Sequence, residues 1–239
     1  MKDPNLPLLE AAVKLLQPLL DELVFVGGCA TGLLITDPGA GGIRPTKDVD
    51  TITEVASYAE YATLSERLRG LKLQEDHREG APTCRWRYGD LTIDVMPTDK
   101  KILGFSNRWY EPAIASAHHV EVAGLGIRLI RPAYFLATKF EAFRGRGNDD
   151  YSGSHDLEDA IAVIDGRPEI IDEVRSAAPD VRNFTASEMR RLLGTRLFID
   201  ALPGFLLPDP ASQARYPVLR GRLDALAASE DTHAGQETG

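Results

Sequence analysis

The sequence predicts an α+β fold, a mixed sheet with flanking helices followed by a C-terminal helical bundle. Three observations predict it. Short β-branched runs bounded by Gly, Pro and Asp recur up to about residue 131. Pro132 then opens "PAYFLATKFEAFRGR", and apolar spacing is helical from there on. No internal repeat points to a solenoid or propeller. The expected domains are 1–131 and 132–228, and the polar tail 229–239, "SEDTHAGQETG", is expected to be disordered.

Taken in order, apolar positions from Leu8 to Leu23 follow helical spacing, with a kink expected at Pro18. "LVFV" (Leu23 to Val26) reads as a buried strand that turns sharply at Gly27-Gly28 into a short helix. "TDPGAGGIRPT" is a Pro/Gly loop leading to the strand "DVDTIT". A helix over "SYAEYATLSERLRGL" precedes three strand-like runs, "LKLQ", "TCRWRY" and "LTIDVM", the last two joined by the turn "YGDL". "ILGFSNRWYEPAIA" has no clear period, and "HHVEVAGLGIRLIR" reads as a hairpin turning near Gly124 and Gly126. In the second half, Ser154 is placed to cap a helix ending at Gly166. "RPEIIDEVRSA", "TASEMRRLLGTRLFIDAL" and "ASQARYPVLRGRLDALA" supply the remaining helices.

Composition excludes several classes. With 239 residues, 43% of them hydrophobic, the chain can bury a sizeable core. A formal charge of −9 argues against broad, sequence-blind nucleic-acid binding, so any RNA contact is expected to be local. Cys29 and Cys84 have no CxxC spacing, and "MKDPNLPLLE" does not read as a secretory leader, so neither a disulfide framework nor structural zinc is expected. No apolar run approaches the roughly 20 residues of a membrane span. The expected location is cytoplasmic, with no membrane partner.

The chemistry is concentrated in "IRPTKDVDTI". Residues i and i+2 of a strand share a face, so Asp48 and Asp50 project together from an otherwise apolar run. Asp94, in "LTIDVMP", is set among β-branched residues in the same way. If these two strands are neighbours, the three carboxylates converge, and unpaired they would repel one another. A divalent cation removes that conflict: Mg²⁺ takes hard oxygen ligands, and Mn²⁺ is the other candidate. The plainer alternative is that the acids are solvated on an exposed strand face. Against it stands the upstream Gly27-Gly28, where a strand-to-helix turn lets backbone N–H groups approach a triphosphate. Arg44 and Lys47 flank the acids, with Thr46 in the same loop, and can meet phosphate oxygens. "NRWY" (Asn107 to Tyr110) is a candidate base-stacking stretch, with core packing the simpler role.

"VGGCATGLL", "RPTKDVDTI" and "LTIDVM" together resemble the three blocks of the polymerase-β-like nucleotidyltransferase superfamily. "RPAYFLATKFEAFRGR" followed by "HDLEDAIAVI" resembles its AbiEii-type branch, toxins of toxin–antitoxin and phage-defence systems. The resemblance covers about residues 23 to 165. It implies that Gly27 and Gly28 bind nucleotide phosphates and that Asp48, Asp50 and Asp94 hold Mg²⁺. It also implies that Lys139 contacts the triphosphate, with Asp156 or Asp159 close by. The 19 residues between Gly28 and Asp48 form a long, Gly-rich connection able to alter substrate access.

The function expected on that basis is Mg²⁺-dependent transfer of a nucleoside monophosphate from an NTP to a hydroxyl. The first acceptor to consider is RNA, notably a tRNA 3′ end, in a toxin paired with a cognate antitoxin. An aminoglycoside or a protein hydroxyl are the alternative acceptors. A different class remains: a nucleotidyltransferase-fold binding or antitoxin module without turnover. For an RNA acceptor, Arg44, Lys47, Arg128, Arg131, Lys139, Arg144 and Arg146 are expected to line one side of the cleft holding Asp48 and Asp50. For a cationic acceptor, Asp156 and Asp159 would supply an acidic one.

Overall fold

Four successive apolar side chains, Leu23 to Val26, can be buried together only if both faces of their strand are covered. In the computed structural model, which describes residues 3–229, this strand (β1, Leu23–Val26) is buried at every position. The other strands are β2 (Val49–Thr53), β3 (Gln74–Glu75), β4 (Arg85–Tyr88), β5 (Leu91–Pro97), β6 (His118–Val122) and β7 (Leu125–Leu129). They form one mixed sheet in the order β3-β4-β5-β2-β1-β7-β6, with β1 inside it. β1 runs antiparallel to β2 and parallel to β7, while β2 runs parallel to β5.

The chain divides into two compact units: residues up to Gly32 together with Arg44–Arg131, and Leu33–Ile43 together with the segment from Pro132 on. The first contains the sheet. Its helices are α1 (Leu6–Leu15), the start of α2 (Gly27–Leu34), α3 (Tyr58–Gly70), α4 (Lys100–Leu103) and α5 (Tyr110–Ser116). Ser57 caps α3 by accepting from the N–H of Glu60, whose carboxylate accepts from the N–H of Ala56. The β6–β7 connection is a two-residue turn at Ala123 and Gly124, both at positive φ (53° and 78°), the twist that a tight hairpin needs.

The second unit is helical: α6 (Pro132–Arg146), α7 (His155–Gly166), α8 (Ile170–Ser176), α9 (Pro179–Leu193), α10 (Arg196–Ala201), α11 (Pro210–Gln213) and α12 (Tyr216–Ala227). α6 is buried from Pro132 through Phe140 and packs on α7, α8 and α9, so it is the axis of this unit. Ser154 caps α7 through Leu157 N–H, as its position predicts.

Several elements differ from expectation, each for a local reason. α1 stops at Leu15, and Pro18 lies in a separate 3₁₀ turn, Gln17–Leu19. The "LKLQ" strand shrinks to β3 because Lys72, at φ 66°, closes the end of α3 in the left-handed region. The helix expected from Thr185 to Leu202 begins at Pro179 and breaks at Gly194-Thr195 before α10. "ILGFSNRWYEPAIA" holds the end of α4 and most of α5, with Trp109 buried. The expected domain limits place Leu33–Ile43 in the first domain, whereas the segment clusters with the helices. Of the expected disordered tail, 230–239 lies outside the described residues.

Candidate active site

Alternation puts Val26, Asp50, Asp94 and Arg85 in one cross-strand row, because they are directly opposed along β1, β2, β5 and β4. Thr51 ties two of these strands together by donating its hydroxyl to the carbonyl of Asp94. At one end of the row the chain leaves β1 through Gly27, at φ 70°, and enters α2. A Cβ on Gly27 would lie 1.9 Å from Asp50 Oδ2, so the backbone there abuts the carboxylate and any side chain would have to displace it. Gly28, the second predicted phosphate-binding glycine, is buried on α2.

Asp48 sits one residue ahead of β2, and a small network holds its loop. Asn5, almost fully buried, accepts from Thr46 N–H (2.8 Å) and donates to the carbonyl of Arg44 (3.0 Å). Thr46 Oγ1 in turn donates to Asp48 Oδ1 at 2.9 Å. Thr46 therefore sets the Asp48 carboxylate, while Lys47 is exposed beside it.

The far side of the row is Arg85. Its Nε and Nη2 donate to the two oxygens of Asp94, each at 2.8 Å, and Nη2 also reaches Asp48 Oδ2 at 2.6 Å. Burial pushes the Asp94 carboxyl above its usual range even though the Arg85 bonds pull it down. Burial likewise pushes the Cys84 thiol up to about 12, with the Asp94 and Asp50 charges adding to the effect, so this cysteine is no nucleophile.

Arg85 and Asn5 were missed in the sequence. Arg85 had a signal: counting outward from the two-residue turn between Tyr88 and Leu91 puts residue 85 opposite residue 94. Asn5 had none, since its partners are 39 and 41 residues away.

Donor chemistry at Asp48 and Asp50 fits a hard divalent cation. The three-carboxylate ligand set is another matter. Among the described residues, no three His, Cys, Asp or Glu side chains are grouped so as to hold a metal. Both Asp94 oxygens are bonded to Arg85.

The helical unit holds a second charge cluster. Lys139 Nζ is 2.7 Å from Asp159 Oδ2 and 3.4 Å from Asp156 Oδ1, and Arg146 forks onto Asp156 with two bonds of 3.0 Å. Lys139 is only 8% exposed and Asp159 1%. Burial raises the Asp156 carboxyl, but bonds and charges from Arg146 and Lys139 outweigh it and leave the group below its usual range. Arg144 is likewise bonded to Glu188.

Two of the arginines expected to line the cleft are bonded to main-chain carbonyls. Arg128 stands beside Val24, toward the end of β1 away from Gly27, and donates to the carbonyls of Asp21 and Ile114. Arg131 donates to the carbonyl of Ser116. Trp109 and Trp86 are core residues, 5% and 1% exposed, which rules out the stacking role for the tryptophan of "NRWY". Among the described residues no helix is long and apolar enough to cross a membrane.

No protein-family model matches the chain, and no curated protein matches it. Crystal structures of other proteins resemble it in fold. An antigenic nucleotidyltransferase-like protein from Paracoccidioides brasiliensis aligns over 93% of both chains with a TM-score of 0.51 and 19% identity. JHP933 from Helicobacter pylori aligns over 95% of this chain and 94% of its own, with a TM-score of 0.50 and 11% identity. At these identities the likeness is one of fold.

Proposed function

We propose that the protein is a nucleotidyltransferase that moves a nucleoside monophosphate from an NTP to a hydroxyl acceptor. The observation that supports this best is the junction of Gly27 with Asp50. A strand-to-helix turn stripped of side chain lies directly against a carboxylate that is in register with a second one, Asp94. The turn suits a phosphate chain, which needs close backbone approach, and the acids suit the cation that accompanies it. Asp48 and Asp50 would hold that ion, which when bound neutralises the triphosphate and makes the acceptor hydroxyl more acidic. Thr46 and Asn5 orient Asp48, and the missing Cβ of Gly27 leaves room for the Asp50 carboxylate. The contribution of such a site is positioning and charge neutralisation.

Among acceptors, RNA with a free 3′ hydroxyl is the reading retained, in the role of an AbiEii-type toxin. A cationic aminoglycoside would need acids with charge to spare. Asp156 and Asp159, the pair considered for that purpose, direct theirs to Lys139 and Arg146. The assignment of Lys139 to the triphosphate rests on the family resemblance, and loss of NTP affinity in Lys139→Ala is its test.

The experiment is incubation of purified protein with each labelled NTP, Mg²⁺ and either total tRNA or an aminoglycoside panel. Label in tRNA supports the full reading. Label confined to the small molecules replaces the acceptor, and label in neither, with NTP still bound in calorimetry, favours a non-catalytic binding module.

A further inference from the structure

The carboxylate cluster already contains a cation. Arg85 meets Asp94 as a planar fork, with one nitrogen on each oxygen, and reaches Asp48 with a single bond from the nitrogen it also uses for Asp94. The two contacts are not equivalent. Arg85 and Asp94 face each other in the β4–β5 ladder, so two hydrogen-bonded backbones hold the fork together. Asp48 precedes its strand and is set by the Thr46 loop, so its bond to Arg85 is the one that can open.

There is also somewhere for the guanidinium to go. Arg85 borders a cavity of about 580 Å³ whose acids, Glu75 and Asp76, are already bonded to Arg69 and Arg78, so it offers the guanidinium space and not a fresh carboxylate. Asp76 flanks Arg85 on the side away from Asp94, its N–H donating to the Arg85 carbonyl.

The geometry points to Arg85 as the resident counter-ion of the active site: it competes with the divalent cation for Asp48, and Asp94 anchors it instead of acting as a third metal ligand. This inference rests on the functional reading above and refines its metal site. A guanidinium and a divalent cation cannot both sit against Asp48 Oδ2, since the two positive charges would meet at contact distance. Without the ion, Arg85 offsets the repulsion among the acids and keeps them in place. When the ion arrives, Arg85 gives up Asp48, keeps Asp94 and turns toward the cavity. Arg85 is thus a positioning residue that lowers cation affinity in exchange for a preorganised metal-free site.

The test is Mn²⁺ titration of full-length protein without nucleotide, read by the paramagnetic resonance of the free ion. Wild type is compared with Arg85→Met, Arg85→Lys and Asp48→Asn. Arg85→Met is expected to bind Mn²⁺ about tenfold more tightly than wild type. Arg85→Lys should fall between them, because an ammonium cannot fork onto Asp94 while bridging to Asp48, and Asp48→Asn should bind more weakly than all three. Metal-free Arg85→Met should melt below wild type and regain the difference with Mn²⁺. A purely structural arginine would loosen the site and weaken binding, so unchanged or weaker Mn²⁺ affinity in folded Arg85→Met overturns the inference. If that variant does not fold, Arg85→Lys decides: tighter binding supports the competition, and equal or weaker binding overturns it. Nucleotide transfer is measured in parallel. Transfer by wild type without tightening in the variants overturns the counter-ion role alone, whereas tightening without transfer leaves it standing and removes the enzymatic reading.

Discussion

At Gly27 two constraints coincide: a backbone at φ 70° and a neighbour, Asp50, that would overlap any Cβ. Gly27→Ala should therefore cost stability through the left-handed conformation alone, about 1–2 kcal/mol, and displace Asp50 as well. The expected result is a folded but less stable protein with NTP binding lost, checked by thermal melting and calorimetry; wild-type NTP affinity in Gly27→Ala would remove the glycine from the site. Asp50→Asn should keep the fold and lower transfer about 100-fold or more. Lys139 poses a different problem, because it is buried with its partners. Lys139→Met leaves Asp159 buried without that cation and should destabilise the protein by about 3 kcal/mol, measured from the urea midpoint. Asp156 adds a pH signature. Its carboxyl titrates below the ordinary aspartate range when folded, so its contribution is fully present above that range and is lost as the pH falls through the lower folded value. Asp156→Asn should flatten the stability curve in that acid range, and an unaltered acid limb would contradict the pairing.

At the scale of elements, turn chemistry decides where helices and strands end. The β6–β7 hairpin puts Ala123 at φ 53°, a conformation that an alanine adopts at a cost and a glycine without one. Ala123→Gly should accordingly stabilise the protein by about 1 kcal/mol, less the extra freedom glycine has in the unfolded chain. A lowered melting temperature in this variant would mean that the hairpin turn is not under that strain. The same kind of local signal was legible at Ser154, at Pro132 and in the buried run of β1. It was missed at Lys72, where a lysine took the left-handed position usually given to glycine inside a run expected to be strand.

At the scale of the whole molecule, the Gly-rich connection after α2 belongs to the helical unit because it is bonded there. Thr36 and Asp37 donate their N–H groups to the carbonyl of Gly166, and Arg167 reaches the carbonyl of Leu34. Arg215 joins Asp37, the carbonyl of Gly39 and the nearly buried Asp165. Arg215→Ala should release the connection, and limited proteolysis should then cut within 33–43 about tenfold faster than in wild type. An unchanged cleavage rate would show that the glycine-rich chain is held without this arginine. The net charge of −9 makes a second prediction. If RNA is the acceptor, its phosphates must be gripped by a few local cations, so transfer should fall steeply with salt, and a flat salt dependence would argue for a small neutral acceptor.

The sequence by itself determined that a buried strand ends in a glycine turn, that a second strand opens at the Asp48–Asp50 pair, and that the second half is helical. Each of these follows from periodicity or backbone preference over a few residues, which neighbouring side chains encode directly. Only the tertiary structure decided which charges meet. Asp94 faces Arg85, Asp156 and Asp159 are directed to Lys139, and the Gly28-to-Asp48 connection is anchored by Arg215. Such pairings cross from about 10 to about 180 residues of chain, and Coulomb attraction between two ends of a sequence leaves no period for a reader to count.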